Sequence, residues 1–243
     1  MQKTGKTIII YGDAGVGKTT LLNTLSDNTL VIMIESGEQV LKERKELTKY
    51  AIQEPGMTAR EAIQRFEAII NAVISQKGAG YKYIALDNIS YLETMDRNAV
   101  MEKQHISCPN SDTYNSSGAN LARYLINNSG LRQLNEHGVN LIYIAWSKAE
   151  KIKDSEGEVI NKMWPMLADG LTKQVCGIVD FVMPLRIGKK GERYLQLDAD
   201  LTYTAKKREE FGKEYPDVIA CPKNSLDTLD LFFKMINNKE ENK

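Results

Sequence analysis

The run Gly12-Asp13-Ala14-Gly15-Val16-Gly17-Lys18-Thr19 is entered directly from the apolar stretch Thr7-Ile8-Ile9-Ile10-Tyr11, and it restricts the folding of this 243-residue chain more than any other feature. The spacing G-x-x-x-x-G-K-[ST] makes a phosphate-binding loop when a strand enters it and a helix leaves it, and both conditions hold here. The β-branched residues Ile8, Ile9 and Ile10 suit a strand buried on both faces. Beyond the loop, Thr20-Leu21-Leu22-Asn23-Thr24-Leu25 carries apolar residues at helical spacing. Glycines at 12, 15 and 17 permit backbone conformations closed to residues with a Cβ. They let the N–H groups of the loop from Gly12 through Asp13, Ala14, Gly15, Val16 and Gly17 approach phosphate oxygens. Lys18 adds a point charge for the β- and γ-phosphates, the Thr19 hydroxyl is placed to ligate Mg²⁺, and Thr20 completes the cradle on the following helix.

Composition sets the wider bounds. Lys plus Arg and Asp plus Glu each number 32, so a nucleic-acid surface would have to be a local patch rather than a global excess of charge. Cys108, Cys176 and Cys221 are scattered without C-x-x-C spacing, which argues against a disulfide framework or zinc site and suits a reducing compartment. Residues 1–6 lead straight into the first strand, and no apolar run reaches membrane-spanning length. The expectation is a soluble cytoplasmic protein, one domain over 1–243, with 237–243 a frayed tail.

Leu30-Val31-Ile32-Met33-Ile34 reads as a second core strand, delivering Glu35 and then Glu38 at its carboxyl end. The charged stretch from Gln39 to Tyr50 reads as helical, broken by Pro55-Gly56. Thr58-x-x-Glu61 is a capping box opening a helix with Ile63, Phe66, Ile69, Ile70, Val73 and Ile74 on one face and Gly78 as its stop. Tyr83-Ile84-Ala85-Leu86-Asp87-Asn88 looks like a Walker B segment. Asp87 either holds Mg²⁺ opposite Thr19 or caps the next helix, and the upstream loop favours the metal role. A helix over Tyr91–His105, a Ser/Asn-rich loop over Ser107–Gly118 and a helix over Ala119–Glu136 follow. Asn140–Ser147 is a further buried strand with polar residues at its carboxyl end.

Lys148–Lys173 allows two readings: a lysine-bearing loop that touches a nucleic-acid backbone, or a solvated hairpin turning at Asp154-Ser155-Glu156-Gly157. Asp180–Ile187 and Arg193–Leu197 form a hairpin signal around Gly188-Lys189-Lys190-Gly191, with Pro184 implying an irregular or edge position. A short strand over Thr202–Ala205 and a helix over Leu226–Ile236 close the chain. Strands alternating with helices give an α/β fold with a mostly parallel sheet and its ligand at the carboxyl ends, where Lys18, Glu35, Asp87 and Ser147 all fall. Hydrolysis of a nucleoside triphosphate needs a group to orient or deprotonate water. The residue after Asp87 is Asn88, so Glu35 is the best candidate base, with Glu38 second. His105 and His137 have no catalytic partner pattern and read as structural.

The ordered set of phosphate loop, strand-end Glu35, Asp87 without a following Glu, polar strand end Trp146-Ser147, and a hairpin leading to Ala205-Lys206-Lys207-Arg208 resembles the RecA-like ATPase core. It is most similar to phage nucleotide-binding proteins regarded as RecA-like single-strand-annealing recombinases. The resemblance implies a RecA-like fold with a C-terminal antiparallel hairpin, Mg²⁺ and ATP as cofactors, single-stranded DNA as partner, homo-oligomeric rings or filaments and a bacteriophage origin. Lys206-x-Arg208 resembles the finger that RecA-like ring helicases send into a neighbour's nucleotide, and it also reads as an exposed basic turn. The sensor position, commonly His or Gln in relatives, is Trp146-Ser147 here, where Ser147 can hydrogen-bond phosphate or water. Two other functions use the same loop: a nucleotide-dependent switch without turnover, and a small-molecule kinase. The latter wants an arginine-bearing lid, and Lys148–Lys173 contains no Arg.

Overall fold

Side-chain alternation along β1 (Thr7–Gly12) divides the molecule into two cores: Ile8 and Ile10 face one, Ile9 and Tyr11 the other. The computed structural model describes residues 4–26, 28–35, 38–41, 44–153, 156–208, 214–223 and 225–237, without the side chains of Glu38 and Gln39. In chain order β1 is followed by α1 (Lys18–Leu22), β2 (Thr29–Met33), α2 (Glu38–Leu41), β3 (Thr48–Ala51), α3 (Ala59–Ser75), β4 (Tyr83–Asp87), α4 (Ile89–Gln104) and α5 (Ser111–Leu125). A 3₁₀ turn over Leu131–His137 leads to β5 (Asn140–Lys153), β6 (Val159–Pro165), α6 (Asp169–Ile178), β7 (Phe181–Ile187), β8 (Arg193–Gln196), β9 (Lys206–Lys207), β10 (Val218–Ala220) and α7 (Thr228–Asn237).

The sheet runs β10-β8-β7-β1-β5-β4-β2-β3, with β6 paired to β5 and β9 to β7. All pairings from β7 to β3 across this order are parallel. β5 therefore lies between the phosphate-loop strand and the Asp87 strand. Helices cover both faces, giving the α/β architecture with a mostly parallel sheet and an antiparallel β7–β8 hairpin that the sequence implies. α3 shows how the sequence secures one layer. Thr58 and Glu61 cap it reciprocally, and Ala62, Ile63, Phe66, Ile70 and Val73 bury one stripe. Burial of a side chain such as Phe66 contributes about 1.5–3 kcal/mol.

Several local expectations give way to tertiary context. Gln39–Tyr50 is not a helix. Among the described residues of that stretch the helix stops at Leu41, and Thr48–Ala51 pairs with the edge of β2, from Leu30↔Thr48 to Met33↔Ala51. Filling that open ladder outweighs the weak helical preference of a few charged residues. Ser107–Gly118 is not a loop throughout: α5 starts at Ser111, capped by Asn110 and Thr113, and buries Thr113, Ser117, Leu121 and Leu125. Its inner positions begin with small polar residues, so no apolar stripe announces it. The helix expected over Ala119–Glu136 breaks after Leu125 and resumes as the 3₁₀ turn. The hairpin reading of Lys148–Lys173 holds for β5 and β6, Ser147↔Pro165 to Lys153↔Val159, with α6 beginning at Asp169. Residues 154–155 of the expected turn lie outside the described residues.

Pro184 is interior rather than at an edge. It pairs with Tyr11 on β1 and falls between the stretches of β7 that face β9 (Phe181, Val182) and β8 (Leu185 onward), where no ladder partner needs its missing N–H. The strand expected over Thr202–Ala205 is reduced to a bridge between Met163 and Tyr203, and the pairing occurs at Lys206–Lys207. The tail beyond Asn237 lies outside the described residues.

Asp96 gives one test of this framework. It is 1% exposed on α4, Asn120 Nδ2 donates to both its oxygens at 3.3 and 3.1 Å, and burial pushes its carboxyl up to about 6. A folded-state value above the unfolded one means the protonated form favours folding. The penalty is absent below the unfolded value, grows as pH rises from about 4 to about 6 and is complete above that. Asp96→Asn is expected to raise unfolding free energy by about 1–3 kcal/mol near pH 8 and by little near pH 4 in urea titrations. Equal destabilisation at both pH values would refute the assignment.

Candidate functional site

β1 delivers the chain into the loop at Gly12, where a Cβ would lie 2.8 Å from the Leu185 carbonyl oxygen of β7, so the close passage of two backbones requires glycine. Val16 is buried and anchors the loop, Asp13, Ala14 and Gly15 form its exposed tip, and Gly17 adopts φ 100° ahead of α1. Lys18 is 7% exposed, and its Nζ donates to the carbonyls of Gly12 and Asp13, both at 2.8 Å. Burial lowers its pKa, against the opposing charges of Asp87, Asp13 and Glu35. Thr19 and Thr20 are half-buried on the first turn of α1.

Thr19 Oγ1 donates to Asp87 Oδ2 at 2.6 Å, joining the loop to the end of β4. Asp87 is 6% exposed, and burial raises its pKa while Thr19 and Lys18 pull it down. It does not cap α4. That role belongs to Asn88, whose Oδ1 accepts the Tyr91 N–H at 2.8 Å. The Asp87–Asn88 peptide is cis. The same Asn88 side chain donates through Nδ2 to Glu35 Oε2 at 2.5 Å. Glu35 follows β2, held by donation of the Ile34 and Glu35 N–H groups to the Asp87 carbonyl at 2.7 and 3.4 Å. Burial and the Asp87 charge push its carboxyl up, and Lys18 and Asn88 oppose them. Glu38, the second candidate base, has its side chain outside the described residues.

The loop lysine, the hydroxyl–carboxylate pair and Glu35 thus meet at the carboxyl rim of the sheet. The donor set fits a magnesium nucleotide. Thr19 and Asp87 present hard oxygen atoms side by side, and magnesium is ordinarily bound by one or two protein oxygens plus substrate phosphates and water. Ser147 Oγ donates to the Asp13 carboxylate, fastening the end of the sheet-embedded part of β5 to the loop tip. A cleft of about 420 Å³ borders the loop there, between Ser147, the end of β7 and Tyr203.

Lys206 and Arg208 are not brought to this site within one chain. β9 pairs with the first two residues of β7, at the amino rim of the parallel sheet. Lys206 Nζ donates to the carbonyls of Cys176, Gly177 and Val179 at 3.1, 2.6 and 2.8 Å, and Arg208 Nη2 donates to the Ile178 carbonyl at 3.1 Å. Together they close the carboxyl end of α6. Among the hairpin lysines, Lys148 is engaged with the Leu167 carbonyl and Asp169, and Lys162 with the Asp200 carbonyl, while Lys151 and Lys153 are exposed. Sequence reasoning missed Asn88 as the group orienting Glu35. The one signal it carried was its type: an Asn can cap a helix and donate an amide at once, which Glu cannot.

The model of the AAA_24 family, described as an AAA domain, matches residues 4–209. No curated protein matches the chain. Among solved structures, the flagellar accessory protein FlaH from Methanocaldococcus jannaschii is similar at 12% identity with a TM-score of 0.47, over 90% of this chain and 85% of that chain. No helix among the described residues is long and apolar enough to cross a membrane.

Proposed function

The chain belongs to the AAA_24 family of AAA domains, and from that premise we propose that it is a Mg²⁺-dependent ATP hydrolase of the RecA-like class that acts on single-stranded DNA. The supporting observation is that Lys18 and Thr19, Glu35, and Asp87, carried by three separate elements, meet at one rim. In this reading the loop N–H groups and Lys18 bind the β- and γ-phosphates, and Thr19 and Asp87 hold Mg²⁺, which offsets phosphate charge when bound. Glu35 accepts a proton from water as its oxygen attacks the γ-phosphorus. The bond to the β,γ-bridging oxygen breaks, and ADP and phosphate leave. Asn88 aims the Glu35 carboxylate.

The DNA reading is supported by continuity. β5 runs unbroken from Ser147, hydrogen-bonded to the loop tip, into the hairpin that exposes Lys151 and Lys153. A phosphate backbone bound there would act on the same strand that touches the nucleotide loop. Lys206 and Arg208 lie far from their own loop, so a role in catalysis needs a head-to-tail neighbour, whose nucleotide would replace the α6 carbonyls as their partner.

ATP hydrolysis by the full chain with and without single-stranded DNA, alongside light scattering with and without MgATP, tests all three parts. Stimulation by DNA and ATP-dependent growth in mass are expected. ATP binding without hydrolysis would replace this reading with a nucleotide switch, and hydrolysis indifferent to DNA would remove the DNA assignment.

A further inference from the structure

We infer that Arg193, carried on β8, is a second cationic ligand of the nucleotide's phosphate chain, supplied in cis by the β7–β8 hairpin; this rests on the nucleotide reading above. Its guanidinium lies directly on the loop: a Cβ built on Gly17 would be 2.1 Å from Arg193 Nη1 and 3.3 Å from Cζ. The position against the loop backbone at residue 17 is therefore open to an arginine only because that residue is glycine. Nε of Arg193 is buried without a hydrogen-bond partner. Among the described residues its side chain has no hydrogen bond or salt bridge, whereas Arg186 on the adjoining strand engages Gln196, Asp200 and the face of Tyr203.

A guanidinium cannot relieve this by losing its proton, and a buried donor left unpaired is costly. The arrangement is favourable once an anion at the loop meets the guanidinium, whose planar fork matches a phosphate. Two contacts fix the backbone that carries the side chain. Arg193 pairs with Ile187 across the hairpin, and its carbonyl accepts the Cys221 N–H at 2.8 Å. Occupation of the loop by a nucleotide thereby bears on the position of the hairpin.

The test is calorimetric titration of the full chain with MgATP at two salt concentrations, for wild type, Arg193→Gln and Arg193→Lys. Arg193→Gln is expected to weaken ATP binding about ten-fold or more, with a shallower salt dependence and no loss of melting temperature in the absence of nucleotide. Arg193→Lys, which keeps the charge and loses the fork, falls between. Wild-type affinity and salt dependence in Arg193→Gln overturn the inference while leaving nucleotide binding intact. If Arg193→Gln does not fold, Arg193→Lys decides: several-fold weakening supports the inference and unchanged affinity overturns it. A wild-type chain that binds no ATP defeats the nucleotide reading itself.

Discussion

Replacing Glu35 by Gln is expected to leave ATP bound and to slow its hydrolysis by about 10²–10⁴-fold, the span associated with loss of a positioned general base. The substitution is nearly isosteric. The Gln carbonyl oxygen still accepts from Asn88 Nδ2, so the side chain keeps its aim and loses only its ability to take a proton. Burial and the Asp87 charge already push the Glu35 carboxyl up. A base raised in this way takes a proton from water more readily than an exposed carboxylate does. Single-turnover hydrolysis together with equilibrium binding separates the steps. Hydrolysis at the wild-type rate would remove Glu35 as base, whereas lost binding would show that it acts on the ground state.

Lys18→Ala is expected to weaken ATP binding by about 10²-fold or more and to bring hydrolysis below detection, because charge-assisted bonds of about 1.5–3 kcal/mol each vanish from the β- and γ-phosphates. In the free protein, Lys18 Nζ is satisfied by the Gly12 and Asp13 carbonyls. Binding therefore exchanges those bonds for phosphate, and the net gain is smaller than the gross interaction. The substitution also removes a buried cation, so a circular dichroism melt must accompany the titration. A folded Lys18→Ala chain with wild-type affinity would refute the cradle as the nucleotide site.

The loop and its flanks were legible because their chemistry is local. Gly12, Gly17, Lys18 and Thr19 stand at the spacing of a phosphate-binding loop, and the β-branched entry at Ile8–Ile10 suits a buried strand. Asp87 and Glu35 were legible as strand ends, since apolar runs terminating in carboxylates mark the rim where ligands bind. Asn88 was visible only as the absence of a carboxylate. Its bond to Glu35 spans 53 residues of chain, and no periodicity encodes it. α5 and β3 were misread for the opposite reason. Thr113 and Ser117 are small polar groups used as core, and Thr48–Ala51 is a four-residue strand that pairs with the edge offered by β2.

The sequence alone determined the phosphate cradle, the α/β class and the set of residue types at the rim, since these depend on backbone conformations and apolar alternation that each segment carries within itself. Only the tertiary structure decided which side chains share partners: Thr19 with Asp87, Asn88 with Glu35, Ser147 with Asp13, Arg193 with Gly17, and Lys206 with the end of α6. Such pairings follow from strand order and register across the whole sheet, and a long-range contact leaves no mark on the local pattern of either residue that makes it.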